Sequence, residues 1–98
     1  MSNGLEEKEV TITLNGSGLP IPSLDPVPVK KDNQKVRWCA EFPFEIRFDE
    51  GFGTYPSSPG GNGCANRAVS GTFGEIKRYK YTIYANDQEN DPDVDVKP

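Results

Sequence analysis

The sequence predicts an all-β domain in which two antiparallel sheets pack face to face, a sandwich of about six to eight strands with Greek-key connections. Apolar and polar residues alternate in several short segments, and no segment has the period of a helix. Ten glycines and nine prolines supply frequent turns. Because 98 residues is the size of one domain, we expect residues 9–98 to form a single sandwich and residues 1–8 to be a flexible N-terminal segment.

Four segments carry the clearest strand pattern, namely 9–14, 35–40, 44–49 and 78–85. Every second residue in them is apolar, which places the apolar side chains on one face of a strand. Weaker strands are expected at 93–97 and around Val27, where the flanking prolines indicate a sheet edge because proline lacks an N–H donor. The predicted core consists of Val10, Ile12, Leu14, Val36, Trp38, Phe44, Ile46, Phe48, Tyr81 and Ile83.

The segment 50–71 interrupts this pattern, because it is rich in glycine and proline and has no clear alternation. A connection of this length is uncommon in a compact domain and is usually functional or mobile. We favour a long crossover loop between the sheets, and a ligand-binding loop is the alternative. Phe52, Tyr55 and Val69 are expected to attach it to the body of the domain.

The order of segments from residue 27 to residue 98 resembles the cupredoxin-like family, to which plastocyanins and azurins belong. The matching text is VPVKKDNQKVRW, then FPFEIRFD, then RYKYTIYA, then DPDVDVKP. The resemblance implies a cupredoxin-like β-sandwich. An immunoglobulin-like sandwich gives a similar pattern and stays open as the alternative.

The copper ligands of the cupredoxin-like family are missing from this chain. That family binds copper through two histidines, a cysteine and usually a methionine. The chain has no histidine, and its only methionine is Met1. The resemblance puts Phe44 at the place of the first histidine, and Ile83 or Ala85 at the place of the cysteine. We therefore expect a scaffold without copper and predict no metal and no cofactor.

The residue types present also argue against catalysis. Without histidine, the usual catalytic triads and histidine-based acid–base pairs are absent. The carboxylates fall on exposed alternating positions or near the ends of the chain, where nothing indicates an apolar pocket. Asp91, Asp93 and Asp95 alternate, and we interpret them as a solvated strand face rather than a calcium site. The chain is predicted not to be an enzyme and to have no catalytic residues.

The two cysteines, Cys39 and Cys64, allow three interpretations. A disulfide between them would close a loop of about 25 residues and anchor the long crossover to a sheet. Two free thiols are expected in a cytosolic protein. A redox-active pair is the third and least supported interpretation, because the chain has no CxxC spacing.

The charge and hydropathy of the chain exclude two classes of partner. The net charge is −4, with acidic residues crowded near both ends, so the surface should repel nucleic acid. No apolar stretch is long enough to span a bilayer, and the N-terminus has no signal-peptide pattern. We expect a soluble protein, with the cytoplasm slightly favoured unless the chain is a mature form.

Three functional hypotheses follow. The favoured one is a non-catalytic protein-binding or accessory domain, in which Phe52, Tyr55 and Tyr84 are exposed aromatic residues that contact the partner. The alternatives are a structural, self-assembling protein and a thiol-redox protein that uses Cys39 and Cys64. We expect a monomer or a weak homo-oligomer.

Overall fold

The computed structural model describes residues 6–49, 52–61 and 63–98, and this part of the chain contains eleven strands and no helix. No element in it could therefore cross a membrane as a helix. The all-β prediction is confirmed. The strands outnumber the expected six to eight because several are only two to four residues long. They are β1 (Glu6–Leu14), β2 (Pro20–Pro22), β3 (Val27–Lys30), β4 (Gln34–Ala40), β5 (Glu45–Phe48), β6 (Thr54–Pro56), β7 (Ser58–Pro59), β8 (Asn66–Val69), β9 (Arg78–Ala85), β10 (Gln88–Asn90) and β11 (Asp93–Lys97).

The strands form the two packed sheets of a sandwich, as predicted. Sheet I has the order β2-β1-β4-β8-β7, and sheet II has the order β3-β11-β9-β5-β6, with β10 paired to β9. Both sheets are mixed rather than purely antiparallel, because β1 pairs with β4 and β3 pairs with β11 in parallel. The chain leaves sheet I after β2, adds β3 to sheet II, and returns as β4 in the direction of β1. The alternation of apolar and polar residues carries no information about strand direction, so the parallel strand pairs could not be predicted from the sequence.

Prolines lie on the edge strands of both sheets. In sheet I, β2 contains Pro20 and Pro22 and β7 contains Pro59; in sheet II, β3 contains Pro28 and β6 contains Pro56. The edge position predicted for the strand around Val27 is confirmed. Because proline offers no N–H to a neighbouring strand, these edges are poor templates for pairing with a second molecule.

The core lies between the sheets and contains every predicted core residue except Leu14. Leu14 is 40% exposed and lies beyond the last pair between β1 and β4, which is Thr11 with Cys39. Several buried residues were not predicted as core. They come from the two weaker strands, from β9 and from the segment after β8: Val27, Val29, Phe73, Tyr79, Val94 and Val96.

Two predicted segment boundaries are wrong. The segment 50–71 is not one long loop, because it contains β6, β7 and β8. The flexible N-terminal segment does not extend to residue 8, since β1 begins at Glu6 and pairs with Gln34 of β4. Residues 1–5, 50, 51 and 62 lie outside the described part of the chain.

Candidate functional site

A disulfide joins Cys39 and Cys64, whose Cα atoms are 5.6 Å apart. Trp38 points into the core, so alternation places the Cys39 side chain on the outer face of sheet I. Cys64 lies in the turn between β7 and β8. Of the three interpretations of the cysteines, the structure therefore has the disulfide and no free thiol among its described residues. The bond fastens the β7–β8 turn against the outer face of β4.

The β7–β8 turn is held by short backbone contacts as well as by the disulfide. The N–H of Gly60 donates to the carbonyl oxygen of Ala65 at 3.0 Å, and the N–H of Cys64 donates to that of Gly61 at 2.9 Å. A Cβ atom at Gly60 would collide with the carbonyl oxygen of Cys64. Glycine is therefore required at position 60 for this close approach of two backbone segments.

A groove opens where the two parallel strands β1 and β4 separate. The pairing between them ends at Thr11 and Cys39. Strand β1 continues to Leu14, whereas the chain after Ala40 leaves the sheet through Glu41 and Phe42 towards β5. The space between these ends and the β7–β8 turn is a groove of about 430 Å³, called the β1/β4 groove below.

The β1/β4 groove combines apolar and acidic surface. Leu14 and the half-buried Phe42 line it together with the disulfide. Glu9 and Glu41 also line it, and no lysine or arginine does so among the described residues. Glu9 is paired with Arg37, 2.9 Å between Oε1 and Nη2. Glu41 is exposed and has no ion-pair partner in the part of the chain that the structure describes.

At the end of β1, backbone N–H and C=O groups that face this groove have no partner in a neighbouring strand. The N–H of Thr11 donates to Ser23 Oγ at 2.9 Å, and its carbonyl accepts from the Ser23 N–H at 2.8 Å, both in the direction of β2. Successive residues of a strand direct their backbone groups to opposite sides. Ile12 and Leu14 therefore direct theirs away from β2, towards the β4 side. Because pairing with β4 has ended, the N–H and C=O of Leu14 have no ladder partner there.

The aromatic residues predicted to contact a partner lie elsewhere, and all three are half-buried. Phe52 stacks on the buried Phe73 with ring centroids 4.6 Å apart, and Tyr55 packs against the same core. Tyr84 lies on the outer face of sheet II, where the Arg47 guanidinium sits 4.8 Å from its ring centroid. All three aromatic side chains are thus half-buried, and none of the three lines the β1/β4 groove.

Two of the three alternating aspartates near the C-terminus, Asp93 and Asp95, are paired with basic side chains. Asp93 Oδ1 lies 3.1 Å from Lys80 Nζ, and Asp95 Oδ2 lies 3.1 Å from Lys97 Nζ. The bond from Lys97 holds the pKa of Asp95 below its usual value. Asp91 accepts a hydrogen bond from Thr82 Oγ1 at 2.8 Å. Asp93 and Asp95 therefore share a face of β11, whereas Asp91 precedes that strand and does not lie on this face. No group of three or more potential metal ligands occurs among the described residues.

The positions that the family resemblance assigns to copper ligands are all apolar and buried. Phe44, Ile83 and Ala85 belong to the hydrophobic core. Glu45 of β5 pairs with Tyr84 of β9, so Phe44 and Ala85 lie at the same end of sheet II.

No protein-family model matches this chain. No curated protein sequence matches it either. The β1/β4 groove was not predicted from the sequence, because Leu14 was assigned to the core.

Proposed function

We propose that this chain is a non-catalytic, metal-free protein-binding domain of the accessory type, and that it binds its partner in the β1/β4 groove. The observation that carries the proposal is the exposed Leu14, which shares with Phe42 a groove of about 430 Å³. That volume lies within the usual range of binding pockets, about 300–1,000 Å³. Exposed apolar side chains in a concave, polar-rimmed surface are typical of interaction sites.

The disulfide supports this assignment, because it fixes one side of the groove. The bond between Cys39 and Cys64 keeps the β7–β8 turn in place before any partner arrives. A surface that is already ordered loses less conformational entropy on binding than a mobile loop does. We also infer an oxidising compartment rather than the cytoplasm, since structural disulfides persist there.

For the scaffold itself, we propose a cupredoxin-like sandwich that lacks the copper ligands. Each sheet contains one parallel strand pair. Immunoglobulin sandwiches are built from two antiparallel sheets, so the mixed sheets favour the cupredoxin-like alternative. The apolar residues Phe44, Ile83 and Ala85 at the expected ligand positions support a scaffold that works without copper.

The other hypotheses have less support. Self-assembly through sheet edges is disfavoured by the edge-strand prolines, so we propose a monomer. A thiol-redox role is disfavoured because Cys39 is only 6% exposed, behind the β7–β8 turn. Nucleic acid is a poor partner for the groove, because Glu9 and Glu41 would repel phosphate groups.

Selection from a phage-displayed library of random peptides tests whether the groove binds polypeptide. The three immobilised proteins are the unmodified domain, Leu14→Ser and the control Leu24→Ser. Leu24 is a matched control because it is 41% exposed, against 40% for Leu14, and it does not line the groove. We expect peptides that are enriched on the unmodified domain to bind Leu24→Ser equally and to lose binding to Leu14→Ser. No enrichment, or equal binding to all three proteins, refutes the proposal.

A further inference from the structure

We infer that the β1/β4 groove takes an extended polypeptide segment in which a lysine or arginine side chain stands next to an aliphatic one. This inference rests on the proposed function and adds the chemistry of the partner. It follows from three properties of the groove: its charge, its unpaired main-chain edge and its apolar side chains.

The charge of the groove favours a cationic partner. Its charged lining residues are the carboxylates of Glu9 and Glu41, with no lysine or arginine among the described lining residues. Arg37 neutralises Glu9, and Glu41 keeps an unneutralised charge. The whole chain also carries a net charge of −4, which attracts cationic segments over a longer range. A lysine or arginine near Glu41 would supply the missing counter-charge.

The main-chain edge at Leu14 favours an extended partner. Its N–H and C=O face the groove on the side from which β4 has departed. A peptide strand that pairs with an open edge gains backbone hydrogen bonds whatever its sequence. The edge is only a few residues long, and β2 already covers the opposite side of β1. Pairing is therefore confined to a short segment of the partner.

The apolar side chains favour an aliphatic neighbour for the cation. Leu14 and Phe42 line the groove together with the disulfide. In an extended segment, successive side chains point to opposite sides. A segment that alternates lysine with valine can therefore direct one residue type towards Leu14 and Phe42 while its neighbour reaches the rim at Glu41. Burial of the aliphatic side chain would supply most of the affinity.

The test compares two synthetic peptides by amide chemical shifts of the isotope-labelled domain. They are acetyl-Gly-Lys-Val-Lys-Val-Gly-amide and the same peptide with glutamate at both lysine positions. We expect the lysine peptide to shift the amides of Leu14, Phe42 and Ala65, and to bind at least about fivefold more tightly than the glutamate peptide, because an attraction to Glu41 replaces a repulsion. Leu14→Ser should abolish these shifts, and Leu24→Ser should keep them.

A charge variant distinguishes the effect of an ion pair with Glu41 on the affinity from the effect of the domain's net charge. Glu41→Gln should weaken binding of the lysine peptide by about two- to fivefold. Asp87→Asn is the matched control, because it removes one negative charge at the exposed β9–β10 turn, and its positive φ of 60° is one that asparagine tolerates. This control should leave the affinity within about 1.5-fold of the unmodified domain.

Three results would overturn the inference: equal binding of both peptides, tighter binding of the glutamate peptide, or no shifts with either. In each of these cases the selection from the phage-displayed peptide library still tests whether the groove binds polypeptide. Enriched peptides without lysine or arginine that depend on Leu14 would leave the protein-binding role standing and refute only the chemistry assigned to the partner. A library without any enrichment would refute both.

Discussion

The indole Nε1 of Trp38 donates a hydrogen bond to the hydroxyl oxygen of Tyr81 at 3.2 Å. Trp38 belongs to sheet I and Tyr81 to sheet II, and both side chains are fully buried. Their ring centroids are 5.3 Å apart. The contact thus joins the two layers of the sandwich and satisfies a donor that has no access to water.

Replacing Tyr81 with phenylalanine should destabilise the domain. The indole N–H of Trp38 would lose its acceptor, and an unsatisfied buried donor costs about 1–3 kcal/mol of unfolding free energy. Urea denaturation followed by tryptophan fluorescence measures the change. Tyr79→Phe is the control, because the Tyr79 hydroxyl makes no hydrogen bond within the described part of the chain, and this variant should stay within about 0.5 kcal/mol. Equal stability of Tyr81→Phe and Tyr79→Phe would show that the buried bond contributes nothing.

The same tyrosine predicts a loss of stability at high pH. Burial raises the pKa of Tyr81 well above its ordinary value of 10.0, although the bond from Trp38 opposes the shift. Above about pH 10 the unfolded chain releases this proton and the folded chain retains it, so the unfolding free energy falls as pH rises towards the folded-state pKa. By pH 11 the loss should be about 1 kcal/mol larger for the unmodified domain than for Tyr81→Phe. Parallel pH profiles of the two proteins would contradict this.

Removal of the disulfide should cost more stability than any other change proposed above. Cys39 and Cys64 are 25 residues apart, and opening a loop of that size costs about 3–4 kcal/mol in the chain-entropy model. The variant is Cys39→Ala combined with Cys64→Ala, compared with the unmodified domain by urea denaturation. A reductant should lower the stability of the unmodified domain to that of the variant and leave the variant unchanged. An unmodified domain that is insensitive to reduction would argue against the bond.

Gly60 should be essential for the turn that carries Cys64. In Gly60→Ala, the new Cβ meets the carbonyl oxygen of Cys64, so the turn must shift away from β4. We expect a loss of about 1–3 kcal/mol and incomplete disulfide formation, measured by denaturation and by thiol titration after oxidative refolding. Gly61→Ala is the matched control, because no atom lies within 4 Å of a Cβ built there. If both variants behave alike, the close approach at Gly60 is unimportant.

The alternation of residues was sufficient to predict the layers of the sandwich and most of its core. It worked for Ile46 and Phe48 because each faces the opposite sheet. It failed for Leu14, which has the right phase but lies beyond the end of β4. The position of a residue in the alternation predicts which face of the strand its side chain occupies. Burial of that side chain also requires a neighbouring element that covers it.

The candidate site was not predictable, because it depends on strand direction and strand length. The groove exists because β1 and β4 run parallel and then separate, and neither property is encoded in a period of two. Cys39 and Cys64 were identified as a candidate pair, but spacing alone could not distinguish a disulfide from two thiols. Phe52 was predicted both to attach the segment 50–71 to the body of the domain and to contact a partner; the first prediction is confirmed, because Phe52 stacks on the buried Phe73, and the second stays a prediction.

Amide hydrogen exchange at Leu14 tests most directly the claim that the groove side of β1 is an unoccupied edge that pairs with polypeptide. The internal reference is Thr13, whose backbone groups face Ile21 of β2. We predict that the Leu14 amide exchanges much faster than the Thr13 amide in the free domain, and that it becomes protected when the lysine peptide is bound. A Leu14 amide that is already protected in the free domain, or that exchanges equally fast with the peptide bound, would contradict the account.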